Sequence, residues 1–183
     1  MPINHISLTV ASLPATSAFY TSALLPLGYK RTFTLADGQV HGFGASACSG
    51  PDFWLAGPAA PSVDGSEAWH SHTPQAQTED KSPREPTGRM HIAFTASSRR
   101  VVREFHAAAI KAGGKCNGPP GVRPEYFKTY YGAFVLDPEG RNVEAVCMAP
   151  AFWAEEWGML GWGVGTAVVG AVAVGVGRWW GVI

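Results

Sequence analysis

The sequence predicts an α+β fold made of two copies of a βαβββ module followed by an apolar tail. Three observations carry this prediction. The order strand, helix, three strands can be read twice along the chain. Each copy opens on a histidine ahead of alternating apolar residues, His5 in "NHISLTV" and His91 in "MHIAFTA". Each helical stretch leads into short strand-like runs joined by turn residues. Module one spans residues 1–57 and module two 89–149, together one domain over 1–149, with a loop insertion at 57–88 and a tail at 150–183.

In module one, Ile6, Leu8 and Val10 alternate with Ser7 and Thr9, the pattern of a half-buried strand with His5 at its start. In "SLPATSAFYTSALLPLGYK", Ser12 is placed to cap a helix and Pro14 suits its first turn. Ala18, Phe19 and Leu24 or Leu25 form the apolar face, and Gly28 stops the helix. Between Arg31 and Gly57, "ADG" and "SGP" break short runs into an antiparallel meander.

Module two repeats the order, with Ile92 and Phe94 in the parts of Ile6 and Leu8 and His91 in that of His5. In "SSRRVVREFHAAAIKAGG", Ser97 or Ser98 caps, Val101, Val102, Phe105, Ala109 and Ile110 form the apolar stripe, and Gly113 stops the helix. "DPEGR" is a tight turn between the strands "TYYGAFVL" and "NVEAVCM". The insertion at 57–88, rich in Pro, Ser and charge without an apolar period, reads as a long loop or a lid.

With 183 residues and 46% hydrophobic content, the chain can bury a full core. Lys plus Arg balances Asp plus Glu at 14 each, which argues against nucleic acid or another polyanion as partner. Cys48, Cys116 and Cys147 show no C-x-x-C spacing and no disulfide framework, which suits a reducing compartment. The N-terminus lacks a basic region ahead of an apolar stretch, so the expected location is the cytoplasm.

The stretches "NHISLTV", "FYTSALLPLGYK", "HIAF" and "YYGAFVLDPEGRNVEAV", which together cover residues 1–149, resemble the vicinal oxygen chelate superfamily of glyoxalases, bleomycin resistance proteins and extradiol dioxygenases. The resemblance implies an open, curved mixed sheet with a metal and a substrate inside the cup. It implies metal ligands on the first and last strands of the modules, which carry over to His5, His91 and Glu144. Laying "GRNVEA" at 140–145 over "GPDFWL" at 50–55 puts Trp54 opposite Glu144, so the fourth protein ligand of a typical glyoxalase I is missing. Asp52, two residues away, stays a candidate under a shifted register. Two imidazoles and a carboxylate suit Fe2+, Mn2+, Ni2+ or Zn2+ and leave positions open for substrate.

A lone histidine at a strand start is more often an edge residue than a ligand. Matched histidines opening both modules, with Glu144 between apolar Val143 and Ala145, favour a joint site. Tyr130 and Tyr131 are candidates to bond a substrate oxygen or to act as acid, with packing the competing role. Trp54, Phe134 and Tyr126 would line an aromatic or otherwise apolar pocket. Extradiol dioxygenases carry a tyrosine ten residues before the glutamate, where this chain has Phe134, which counts against ring cleavage. His70 and His72 read as exposed loop residues, His41 and His106 as structural or exposed, and Arg99, Arg100, Arg103 and Glu104 as a solvated helix face.

The expected function is that of a glyoxalase-like, metal-dependent enzyme acting on a small oxygenated molecule by isomerase, lyase or oxygenase chemistry. The alternative is a metal-free protein that binds and sequesters a small molecule, as in the bleomycin-resistance branch. A homodimer is compatible with both. In the tail, residues 158–177 carry no charge and have tryptophans on both sides, which admits a membrane anchor, a pairing strand or an unstructured extension. A tethered interaction protein using the fold as a scaffold is the third reading.

Overall fold

Both histidine-led segments form strands, and each is followed by the same elements. In the computed structural model, which describes residues 3–45, 50–58 and 85–155, module one contains β1 (Ile6–Thr9), α1 (Leu13–Ala23), β2 (Lys30–Leu35), β3 (Val40–Gly44) and β4 (Phe53–Ala56). Module two contains β5 (His91–Thr95), α2 (Arg99–Lys111), β6 (Lys115–Val122), β7 (Tyr131–Leu136) and β8 (Asn142–Cys147), and α3 (Ala151–Ala154) follows. Strand orders are β1-β4-β3-β2 and β5-β8-β7-β6. In each sheet the first strand runs parallel to the last and the other pairs are antiparallel. The duplication read from element order is therefore also a duplication of topology.

Among the described residues no strand of one sheet pairs with a strand of the other, so the strands make two four-stranded mixed sheets. The modules are joined by a common core. Leu8, Phe19, Phe53 and Leu55 of module one are buried in one cluster with Phe94, Val102, Phe105 and Val135 of module two. Phe94 stands edge-on to Phe53, centroids 5.5 Å apart, and to Tyr29 at 5.3 Å. Such aromatic pairs add directional contact to the burial of apolar area that drives folding.

A second junction is polar. Ser12 has the extended backbone of an N-cap but makes no side-chain cap bond. The carboxylate of Glu139, from the "DPEG" turn of module two, instead anchors the entry to the helix, accepting from Ala11 N at 3.0 Å and Thr16 Oγ1 at 2.8 Å. An anion there also suits the helix dipole. Burial opposes ionisation of Glu139, but the bonds from Ala11, Thr16 and Arg141 outweigh it and hold the carboxyl below the usual carboxylate range. The Arg141 guanidinium, 1% exposed, donates to Asp137 Oδ2 at 3.0 Å, Glu139 Oε2 at 2.6 Å and the carbonyls of Thr9 and Thr87. Tyr20 of α1 donates to the same Asp137 oxygen at 3.1 Å. The turn thus clamps the modules together as well as linking two strands.

In α2, Ser98 accepts a cap bond from Val101 N at 3.3 Å, and Val101, Val102, Phe105 and Ala109 are buried as the stripe predicts. Ile110 lies at the edge of that stripe and is exposed. Arg99 departs from the solvated face expected for it: its side chain is 12% exposed, its guanidinium lies 4.9 Å above the Tyr131 ring and Nη1 is 3.8 Å from Glu155 Oε1, while the more exposed Arg100 and Arg103 pair with Glu104 and Glu155. Cys48, His70, His72, most of the 57–88 insertion and the tail at 158–177 fall outside the described residues. No helix among the described residues is long and apolar enough to cross a membrane.

Candidate functional site

Strand alternation sorts module two into a core face and an open face. Val143, Ala145 and Cys147 of β8 enter the core, which turns Asn142, Glu144 and Val146 the other way. On β5, Ile92 and Phe94 are buried while His91, Ala93 and Thr95 are exposed. Register places His91 beside Asn142, and Glu144 between Ala93 and Phe134.

Glu144 is 1% exposed although it lies on the open face. A carboxylate so buried requires partners, because an unpaired one costs several kcal/mol. It has two. His91 Nε2 is 2.9 Å from Oε2, and the Tyr130 hydroxyl donates to Oε1 at 2.5 Å. Burial and the contact with Glu144 push the Tyr130 phenol well above its usual value, so it keeps its proton and serves as a donor. The carboxylate fits because residue 132 is glycine: a Cβ there would stand 2.7 Å from Oε1 and 3.1 Å from Tyr130 Cε1. The His91 side chain is 51% exposed, with Nδ1 3.3 Å from Asn142 Nδ2 and its ring edge-on to Phe134 at 6.0 Å.

The equivalent place in module one is occupied differently. Ser7 pairs with Trp54 as Ala93 pairs with Glu144, so the register of both parallel pairs sets Trp54 at the position of Glu144. Trp54 is 4% exposed and contacts Phe33. Asp52 accepts from the Tyr29 hydroxyl at 3.0 Å, and burial with this bond pushes the Tyr29 phenol up to about 12. His5 is exposed, its Nδ1 2.8 Å from Asn4 Oδ1.

Of the residues His5, His91 and Glu144, one chain therefore brings the last two together. Among the described residues no three His, Cys, Asp or Glu side chains gather closely enough to hold a metal ion. The His91–Glu144 pair supplies one nitrogen and one carboxylate, both ordinary ligands of a divalent ion, and in this structure the two bond to each other at 2.9 Å.

The adjacent tyrosines part company. Tyr130 meets Glu144, whereas Tyr131, one residue on, points into the core beneath Arg99 and does not reach the open face. Tyr126 is exposed with its ring 5.2 Å from that of Tyr130. Phe134 pairs with Glu144 across β7 and β8 and stands edge-on to His91, but is buried. Two contributors carry no signal in the sequence: Gly132, and Arg123, whose guanidinium carbon is 5.7 Å above the Phe134 ring. Elsewhere, His41 is buried with Nδ1 2.7 Å from Ser17 Oγ, and burial together with Arg31 lowers its pKa. His106 Nε2 stands 3.3 Å from Cys116 Sγ. A hollow of about 890 Å3 lies between α1 and the β2–β3 side, and another of about 660 Å3 beside Asn142 and Asn117.

The model of the Glyoxalase/Bleomycin resistance protein/Dioxygenase superfamily matches residues 2–145. Among solved structures, a glyoxalase/bleomycin resistance protein from Albidiferax ferrireducens shares 24% identity with a TM-score of 0.55, over 78% of this chain and 96% of that one. A glyoxalase/bleomycin resistance protein/dioxygenase family enzyme from Burkholderia phytofirmans shares 15% identity at TM-score 0.55, over 81% and 100%. Lactoylglutathione lyase from Agrobacterium tumefaciens shares 20% identity at TM-score 0.51, over 78% and 90%. No curated protein matches the chain.

Proposed function

This chain belongs to the Glyoxalase/Bleomycin resistance protein/Dioxygenase superfamily, and on that premise we propose that it is a divalent-metal-dependent enzyme acting on a small oxygenated molecule at the open face of module two. The observation that carries this reading is the buried Glu144 carboxylate on an otherwise open face, with His91 Nε2 at 2.9 Å from its Oε2. His91 and Glu144 would hold the ion, and His5, immediately before the matching strand of module one, would be the third ligand. Three protein ligands are what an open catalytic site of this kind uses. Since the described residues of one chain gather only two, His5 is contributed by a second copy of the chain.

When bound, the ion acts as a Lewis acid on a substrate oxygen. The protein side of the chemistry falls to residues already named. Tyr130 donates to Oε1 and so fixes the carboxylate with Oε2 toward His91. Because its proton is held tightly, Tyr130 orients and donates rather than acting as a base. Tyr126, exposed with its ring against that of Tyr130, presents aromatic surface near the pair, which suits a flat or apolar substrate body, while the buried Phe134 backs His91. Free thiols at Cys116 and Cys147 support a reducing, cytosolic setting.

One observation favours a metal-free binding protein instead: Trp54 occupies the module-one position that matches Glu144. Elemental analysis by mass spectrometry of the full chain, purified without chelator, separates the two. The enzyme reading expects stoichiometric Fe, Mn, Ni or Zn, lost in Glu144→Gln and in His5→Ala. Mixing those two variants should restore about a quarter of the wild-type occupancy, the share that random pairing in a closed two-fold dimer allows. A metal-free wild type after reconstitution would move the protein to the binding class.

A further inference from the structure

Arg123 carries a charge that its surroundings do not neutralise. It makes no ion pair among the described residues, and its guanidinium donates only to the carbonyls of Pro119 at 2.7 Å and Val122 at 3.2 Å. Since a guanidinium has five N–H donors, most of this group is unused. Its place is specific. The guanidinium carbon lies 5.7 Å above the Phe134 ring, and the same ring meets His91 edge-on at 6.0 Å. Two short steps thus lead from an unpaired cation to the His91–Glu144 pair.

The backbone beneath is shaped for this arrangement. The β6–β7 register shifts twice, between Cys116 and Gly118 and between Gly118 and Gly121. A Cβ on Gly118 would stand 2.8 Å from Phe134 Cδ2, and one on Gly121 would stand 2.7 Å from Arg123 Nη1. The two glycines vacate the space that the ring and the guanidinium occupy. Glu144, the other charged group here, already receives Tyr130 and His91.

We propose that Arg123 recognises an anionic group on the substrate, so that this site takes a small, flat molecule bearing a carboxylate in addition to the oxygens presented to His91 and Glu144. The inference rests on the functional reading of that pair given above. A planar, weakly hydrated guanidinium on an aromatic face suits a carboxylate, which it can engage through two parallel N–H bonds.

The test uses the full chain and two probes that differ in charge: 3,4-dihydroxybenzoate, and the neutral 3,4-dihydroxybenzamide. Isothermal titration calorimetry should show the benzoate binding about tenfold or more tightly than the benzamide, the margin expected of a charge-assisted bidentate pair. Arg123→Gln should abolish that preference with metal content unchanged, and Arg123→Lys should keep part of it. A wild type that binds neither probe or prefers neither, or an Arg123→Gln variant that retains the preference, overturns the proposal. A wild type without metal that nevertheless loses the preference in Arg123→Gln would overturn the metal reading alone.

Discussion

Replacing Arg141 with methionine tests the clamp between the modules. The guanidinium is 1% exposed and makes two ion pairs, to Asp137 and Glu139, plus bonds to the carbonyls of Thr9 and Thr87. Methionine keeps much of the apolar stem and removes every donor. Asp137, 4% exposed, then retains the Tyr20 hydroxyl and the turn amides, and Glu139 retains Ala11 and Thr16. Stripping one partner from a buried ion pair costs about 3–5 kcal/mol, and these residual bonds favour the low end. With a urea dependence of about 2 kcal/mol per molar, the unfolding midpoint should fall by about 1.5 M. Tryptophan fluorescence and far-UV circular dichroism in urea would follow it. A drop smaller than about 0.5 M would show that the modules hold together through the shared core alone and refute the clamp. The triple variant with Asp137→Asn and Glu139→Gln should recover part of the loss, because it no longer strands two carboxylates.

Other outcomes follow from the same geometry. Gly132→Ala drives a methyl against Oε1 of Glu144 and should lower metal occupancy as Glu144→Gln does, at a stability cost of about 1–3 kcal/mol in thermal unfolding. Tyr130→Phe leaves Oε1 without its donor and should destabilise by about 1–3 kcal/mol, whereas wild-type stability after this change would remove Tyr130 from the site. Glu139 has a folded pKa below its ordinary value, so its contribution is present above the usual carboxylate range and lost as pH falls through the folded value. Acid unfolding should therefore be shallower in Glu139→Gln. Tyr29 has a folded pKa raised to about 12, so its contribution is complete below the ordinary tyrosine value and lost as pH rises through about 12. Tyr29→Phe should remove that late step from the alkaline titration of phenolate absorbance.

Much of the fold was legible because its signals are local. Alternation around Ile6 and Ile92 specifies strands whose faces are decided two residues at a time, and the buried stripe of α2 is written into "VVREFHAAA". The comparison of "GRNVEA" with "GPDFWL" held because both modules use one parallel register, setting Trp54 where module two has Glu144. Tyr130 and Tyr131 looked equivalent because each is a phenol next to a strand. Their roles diverge through the same alternation, read one residue further: Tyr131 begins β7 facing the core, so Tyr130 faces Glu144.

What the chain alone determined is the α+β class and the duplicated module, since each depends on periodicity and turn chemistry within a few residues. Tertiary structure decided the rest. It tied the Ser12 amide at the entry to α1 to Glu139, a partner 127 residues away in sequence, and set Arg123 over Phe134 above two glycines. It also left His5 apart from His91 and Glu144 within one chain. These outcomes depend on how two sheets pack around a common core, and no local pattern encodes which distant side chain a buried charge will meet.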